Sequence, residues 1–465
     1  MSFPSQAHHP HPPLAGRPPN SHLIPASPYL PSGLELVQAH WYCRHGERAP
    51  VRQRLVGVGD IPAVFSLCSV GREFRSAVLS LTGSSTTATG LSAAPPPRQA
   101  PQVKAMDVRR WTEDVGDSAR GYKGGPADCY WGELTDLGRR STLALGAILR
   151  EIYVPLGFLP ETLSPSNIDT VSFRSTNMPR TIESLHQIVE GLWPASARED
   201  GLKVDFQLRG WQDEDLYPNQ SCRKLRALDV ASIARAAKTH NPSLEQLDSV
   251  LAPIVGGPLR IDSSPRASGV LDTVLVCKAH GIKVPPELDD EHNLRTLEAA
   301  IVHEWFDGYS NLEFRKLAMG RLLGGLRQTL EAKMADPLEQ HEKSRLHVYS
   351  CHDTSLAGIL NALDAFDRRW PPFTSHISVE LLRSPSPPST LSRLLPAALT
   401  RAPSAQHYVR LRYNAKPLYL PACAPEGKHL AGSPEICTFE GFADAVRTVE
   451  MSHGEWMDTC GSKAE

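Results

Sequence analysis

Leu34-Glu-Leu-Val-Gln-Ala-His-Trp-Tyr-Cys43 runs without a break into Arg44-His45-Gly46-Glu47-Arg48-Ala49-Pro50. The first part is short, largely apolar and β-compatible, which predicts a buried strand. The second places two guanidiniums and an imidazole at the strand's carboxyl end. Clustered permanent cations cost free energy unless an anion answers them, and arginine's rigid fork suits phosphate oxygens. Positive surroundings also hold His45 neutral, as a nucleophile at phosphorus requires. Gly46 is expected to let the backbone pass beside imidazole and phosphate without a Cβ in the way.

Working outward, two more polar clusters follow strand-like segments. Ile168–Phe173 predicts a strand ending on Arg174-Ser-Thr-Asn-Met-Pro-Arg180. Leu346-His-Val-Tyr-Ser-Cys351 predicts another, delivering His352-Asp353-Thr354 to the start of a helix that carries Leu356, Ile359, Leu360 and Leu363. Leu145, Ile148, Leu149 and Ile152 form one helical stripe, and Ile182, Leu185, Ile188, Val189 and Leu192 a second. A long helical segment is expected from Leu294 to Met334, and late strands at Ile377–Leu382 and Tyr408–Tyr413. This alternation predicts an α/β sheet covered on both faces. All three clusters then fall at carboxyl strand ends, where open α/β sheets place their sites. Together they hold a candidate for in-line attack, for neutralising the equatorial oxygens and for protonating the leaving oxygen, without a metal.

The 465 residues carry 49 Lys+Arg against 51 Asp+Glu, a formal charge of −2, which excludes a whole-chain basic footprint for nucleic acid. No apolar run approaches the roughly 18 residues of a membrane span. Nine cysteines are scattered without a Cys-x-x-Cys pair, and the N-terminus lacks the pattern of a secretory signal. A reducing, cytoplasmic setting is therefore expected, with most cysteines as thiols and mitochondria as the alternative. There is no Gly-x4-Gly-Lys-Ser/Thr loop and no Gly-x-Ser-x-Gly elbow, and Gly57-Val-Gly59 meets Pro62 where a third glycine belongs. Cys43 has Ala49 where a cysteine phosphatase needs arginine, so the thiol is expected in the core. His303-Glu-Trp-Phe-Asp307 approaches a zinc-binding helix but has Asp in place of the second His. His8, His9, His11 and His22 lie in a Pro/His-biased tail without fixed geometry. No metal and no cofactor are expected.

Arg44 to Pro50, Arg174-Ser-Thr-x-x-x-Arg180-Thr181 and His352-Asp353 occur in one order, accompanied by Gly132-x-Leu-Thr-x-Leu-Gly138 and Tyr413-Asn414. In these motifs the chain resembles the histidine acid phosphatase family, the large-cap branch of the histidine phosphatase superfamily, from about Leu34 to the C-terminus. Arg174 to Arg180, Phe366-Asp-Arg-Arg-Trp-Pro-Pro-Phe373 and the widely spaced Cys423 and Cys437 bring it nearest to that family's lysophosphatidic acid phosphatases. The resemblance implies a phosphoglycerate mutase-like three-layer α/β/α sandwich with a smaller, mainly helical cap. Residues 34–200 and 300–465 would form the α/β lobe and 201–299 the cap. A disordered arm is expected at 1–33, an insertion at about 66–128 and a Pro/Ser-rich loop at 384–403.

By the same resemblance His45 is the nucleophile that forms a phosphohistidine. Arg44, Arg48, Arg174 and His352 bind the phosphate, and Asp353 protonates the leaving alkoxide. Arg180 stands outside this set, expected to orient its loop by an ion pair. Glu47 and Asn177 replace the Asp of many members and flank the pocket. The expected activity is metal-independent hydrolysis of small phosphate monoesters at acidic pH, lysophosphatidic acid among them. A phytase-like or inositol-polyphosphate phosphatase would need a basic rim; Arg223, Lys224 and Arg226 have Asp213, Glu214 and Asp215 near them in sequence, which leaves that open. A catalytically silent phosphate- or phospholipid-binding protein on the same fold is the remaining alternative.

Overall fold

The computed structural model describes residues 29–79, 103–112, 125, 127–336, 343–384 and 406–461. The arm at 1–33 apart from its last residues, much of the 66–128 insertion and nearly all of the 384–403 loop lie outside the described residues. The chain runs β1 (Glu35–Arg44), β2 (Glu73–Leu79), β3 (Val103–Arg109), α1 (Asp136–Tyr153), β4 (Val171–Ser175), α2 (Pro179–Leu192), β5 (Phe206–Leu208), α3 (Arg223–Glu245), α4 (Asp248–Val255), α5 (Ala267–Ala279), α6 (Pro286–Asp289), α7 (Glu291–Phe306), α8 (Leu312–Ala335), β6 (Leu346–Cys351), α9 (Asp353–Ala362), β7 (His376–Ser384), β8 (Gln406–Tyr413), β9 (Lys416–Pro417), β10 (His429–Leu430), β11 (Ser433–Thr438), α10 (Phe439–Val449) and α11 (His453–Gly461).

The main sheet has the order β10-β11-β8-β7-β1-β6-β4-β5, with β9 alongside β8. β1, β6, β4 and β5 are parallel, while β7, β8, β11 and β10 add antiparallel strands on the other side of β1. Arg44 pairs with Cys351 and Ser175 with Ser350, so three strands end level. That register brings clusters more than a hundred residues apart in the chain to one edge.

Alternation along β1 builds two cores. Ala39, Trp41 and Cys43 pack with Leu145, Ile148, Leu185 and Ile188 of α1 and α2. Tyr42 joins Val379, Leu381, Leu322, Leu356, Ile359 and Phe442 on the opposite face. Each fully buried Val, Leu, Ile or Phe among them contributes about 1.5–3 kcal/mol. The sheet therefore lies between α1/α2 and α8–α10, the expected three layers. Helices α3 to α7 share a core of their own, including Ala236, Leu251, Val270, Val274, Leu297 and Ile301. No helix among the described residues is long and apolar enough to cross a membrane.

Three expectations need correction. Ile168–Thr170 is a 3-10 turn, and β4 begins at Val171, which puts Arg174 inside the strand instead of after it. The Leu294–Met334 segment is two helices, because Asn311 caps α8 by accepting from the amides of Glu313 and Phe314. Within 201–299, β5 extends the sheet beside β4 ahead of the helices. Finally, most cysteines are paired, in disulfides Cys68–Cys129, Cys222–Cys460 and Cys423–Cys437. Cys43, Cys277 and Cys351 are buried thiols, as expected for Cys43. The partners lie 61, 238 and 14 residues apart, so linear spacing carried no sign of them.

Candidate active site

The segment after β1 is held from both sides: Arg44 N donates to Ser375 O at 2.8 Å and His45 N to Cys351 O at 3.0 Å. Asn414 supports the first contact, since its Oδ1 accepts from His376 N at 3.0 Å and its Nδ2 donates to Ser375 Oγ at 3.2 Å. A Cβ on Gly46 would stand 2.3 Å from Gly138 O, and one on Gly138 2.1 Å from Glu47 O. Gly46 is thus required by backbone contact with the first turn of α1, not by clearance for a phosphate. Thr135 completes that contact, accepting from Gly138 N at 3.2 Å and donating to Glu47 O at 3.1 Å.

His45 is buried, with Nδ1 2.8 Å from Gly46 O. A carbonyl only accepts, so Nδ1 carries the proton and Nε2 keeps its lone pair. Burial, then Arg180, Arg44, His352 and Arg48, hold this imidazole well below its ordinary pKa. His352 lies edge-on to it, ring centroids 5.6 Å apart. Its Nε2 is 3.0 Å from Thr176 Oγ1, which in turn is 2.8 Å from Thr181 Oγ1. Burial and Arg180 push the His352 pKa down to about 3.

Asp353 opens α9, at the helix end that favours an anion. Its Oδ2 is 2.8 Å from Arg44 Nη2, and its Oδ1 accepts from Thr354 N at 2.8 Å. Burial pushes its pKa up, but Arg44, Arg48 and His352 outweigh burial and hold it below the usual carboxylate range. The expected proton donor is therefore ionised in this arrangement of charges. Arg44 also donates to Pro371 O and lies 4.2 Å from the ring centroid of Phe373. Arg48 Nη2 is 2.7 Å from Asp272 Oδ1 on α5.

Of the expected residues, Arg44, His45, Arg48, His352 and Asp353 line one cavity of about 980 Å³; Arg174 does not. Arg174 Nη2 lies 2.6 Å from both Glu214 Oε1 and Asp215 Oδ1, all three side chains being buried. Arg180 lines the cavity instead and makes no ion pair among the described residues. Burial and then Arg48 press its pKa down to about 10. The ion pair expected of Arg180 is thus found at Arg174, and the place at the cavity expected of Arg174 is found at Arg180. Glu47 lines the cavity, whereas Asn177 is exposed and does not. Sequence reasoning also passed over Thr176, Thr181, Asp272 and Phe373. The two threonines stood in a quoted motif, and Phe373 ended another, but Asp272 sits in a helix without a motif.

The chain matches the model of the histidine phosphatase superfamily (branch 2) over residues 35–414. It belongs to that family, and with it to the phosphoric monoester hydrolases. A probable acid phosphatase of Schizosaccharomyces pombe is 35% identical over 461 residues, covering 92% of this chain and 94% of that protein. Human lysophosphatidic acid phosphatase type 6 is 26% identical over 335 residues, 71% of this chain and 69% of that one. Among solved structures, Bifidobacterium longum multiple inositol polyphosphate phosphatase superposes with a TM-score of 0.55 at 12% identity, covering 94% of this chain and 97% of that chain. Hafnia alvei phytase gives 0.54 at 16%, covering 91% and 98%. These two structural likenesses establish the fold.

Proposed function

We propose that the protein hydrolyses phosphate monoesters through a phosphohistidine on His45. The carrying observation is the locked tautomer: Gly46 O holds the Nδ1 proton at 2.8 Å, leaving Nε2 nucleophilic beside Arg44, Arg48 and Arg180. Nε2 attacks phosphorus as the ester P–O bond breaks, and Asp353 gives a proton to the departing alkoxide. That proton arrives with a monoanionic substrate, whose phosphate shares the guanidiniums that depress Asp353 and so raises its pKa. Asp353, now a carboxylate, takes a proton from water. The water oxygen attacks phosphorus, the P–N bond breaks, and inorganic phosphate leaves. Arg44, Arg48, Arg180 and His352 stabilise the equatorial oxygens. Arg174 anchors the 214–215 loop.

Helices α3 to α7 act as the cap over this pocket. The wall they give it favours a substrate with an apolar chain, such as lysophosphatidic acid: Leu271, Leu275, Leu294, Ile301 and Trp305 line it, with Trp370 beside them. Four cations of the cavity are answered, Arg266 by Glu304 at 2.6 Å, Arg369 by Glu298 at 3.1 Å, Lys278 by Asp289 and Arg295 by Glu291, whereas Arg52 and Arg54 have no ion pair among the described residues. Arg223, Lys224 and Arg226 lie off the cavity, which leaves Arg52 and Arg54 as the cations that a phytase-like rim would draw on. The three disulfides support an oxidising compartment over the cytoplasm.

His45→Ala should abolish hydrolysis of an aryl phosphate, and a folded variant with full activity would refute the mechanism. A wild-type protein with no turnover would be the silent binder. In a panel of lysophosphatidate, phytate and phosphotyrosine, lysophosphatidate should give the highest kcat/KM; preference for phytate would transfer the assignment to the inositol-polyphosphate class.

A further inference from the structure

The zinc-like stretch His303-Glu-Trp-Phe-Asp307, incomplete in sequence, gains a partner in three dimensions. His240, near the end of α3, stacks on His303, near the end of α7, with ring centroids 4.0 Å apart and planes 14° from parallel. Asp307 Oδ1 is 2.7 Å from His303 Nδ1. One ligand atom from each of His240, His303 and Asp307 can be chosen so that all lie within 4.8 Å of one another. Tetrahedral donors around zinc stand roughly 3.3 Å apart, so a modest rotation of half-buried side chains closes the set. We infer that His240, His303 and Asp307 form a binding site for a divalent transition metal, zinc by its ligand chemistry.

Two imidazoles and one carboxylate suit zinc and its neighbours and not magnesium or calcium, which prefer all-oxygen shells. Water completes the coordination. None of the three residues lines the catalytic cavity, so the site is separate from the chemistry at His45. It would instead clamp α3 to α7, the helix that supplies Leu294, Ile301 and Trp305 to the cavity wall. Its role is structural: bound metal fixes that wall.

The test is calorimetric titration of zinc into the full chain and into His240→Gln, His303→Ala and Asp307→Asn. The wild type should bind one ion per chain and gain thermal stability. Both histidine variants should lose that site. Asp307→Asn should weaken it by at least the roughly 10- to 100-fold that even an orienting partner is worth. Aryl phosphate hydrolysis without added metal should be unchanged throughout. Should one variant fail to fold, the others keep the test. Wild-type affinity retained in folded His240→Gln would assign zinc elsewhere, to His8, His9, His11 and His22 for example, and overturn the inference. So would a wild type that binds no ion.

Discussion

Arg174 and Arg180 stand in one motif, six positions apart, yet they meet opposite environments. Arg174 lies within β4 and faces two carboxylates at 2.6 Å. Arg180, in the first turn of α2, has no ion-pair partner among the described residues: burial first, then Arg48 and Arg44, lower its pKa, against the opposing pull of Asp353 and Asp272. The first is a closed ion cluster, complete without a ligand. The second belongs to a group whose charges call for an anion. On the proposed reading, Arg174 positions chain, and Arg180 joins Arg44 and Arg48, which keep Asp353 and Asp272 as partners, in binding phosphate.

Breaking the open side should have the largest effect. Arg180→Ala should lower kcat/KM by about 100- to 1000-fold, the range for losing one preorganised transition-state donor, with Arg180→Lys recovering part of it. Steady-state kinetics on an aryl phosphate reads this directly, and a loss under tenfold would return Arg180 to a structural role. Arg174→Met leaves Glu214 buried without a cation, while Asp215 keeps Arg209 at 2.5 Å, so denaturation should show about 3–5 kcal/mol of lost stability. If it instead lost activity with stability intact, the comparison would be inverted. Asp272→Asn removes the carboxylate that orients Arg48 from α5 and should raise KM by about tenfold with a smaller change in kcat; a lowered KM would show that the carboxylate competes with phosphate instead.

The smallest effect concerns pH. His45, His347, His352 and His376 all have folded pKa values lowered by burial first, the last three to about 4, about 3 and about 4. As pH falls below 6.5 the unfolded chain takes up protons that the folded chain refuses, so stability must fall between pH 6.5 and about 4. Asp353 and Glu380, also held low, keep their contribution above the ordinary carboxylate range and lose it only as pH drops through their folded values. Thermal midpoints should therefore decrease across that window, while neutral His45 sustains turnover. A midpoint that rose on acidification would contradict the assigned burial.

The parts legible in sequence were those whose signal is local. β1 and β6 are apolar runs that end on polar clusters, and α1 and α2 carry regular stripes. His45, His352 and Asp353 were legible because a strand end delivers each. The contrast between Arg174 and Arg180 was not, because it depends on Glu214 and Asp215 reaching Arg174 from a distant loop. Glu214 and Asp215 sit in a loop without periodicity, and no pattern announces that they answer Arg174. Disulfide pairing depends on the same long-range geometry.

Trapping the phosphoenzyme tests the central claim most directly. Asp353→Asn should still accept phosphate from an aryl ester, whose leaving group needs little protonation, but should be slow to activate water. Rapid quenching under alkaline conditions, followed by peptide mass spectrometry, should then find phosphate on His45. Phosphate on another residue, or turnover without a covalent intermediate, would contradict it.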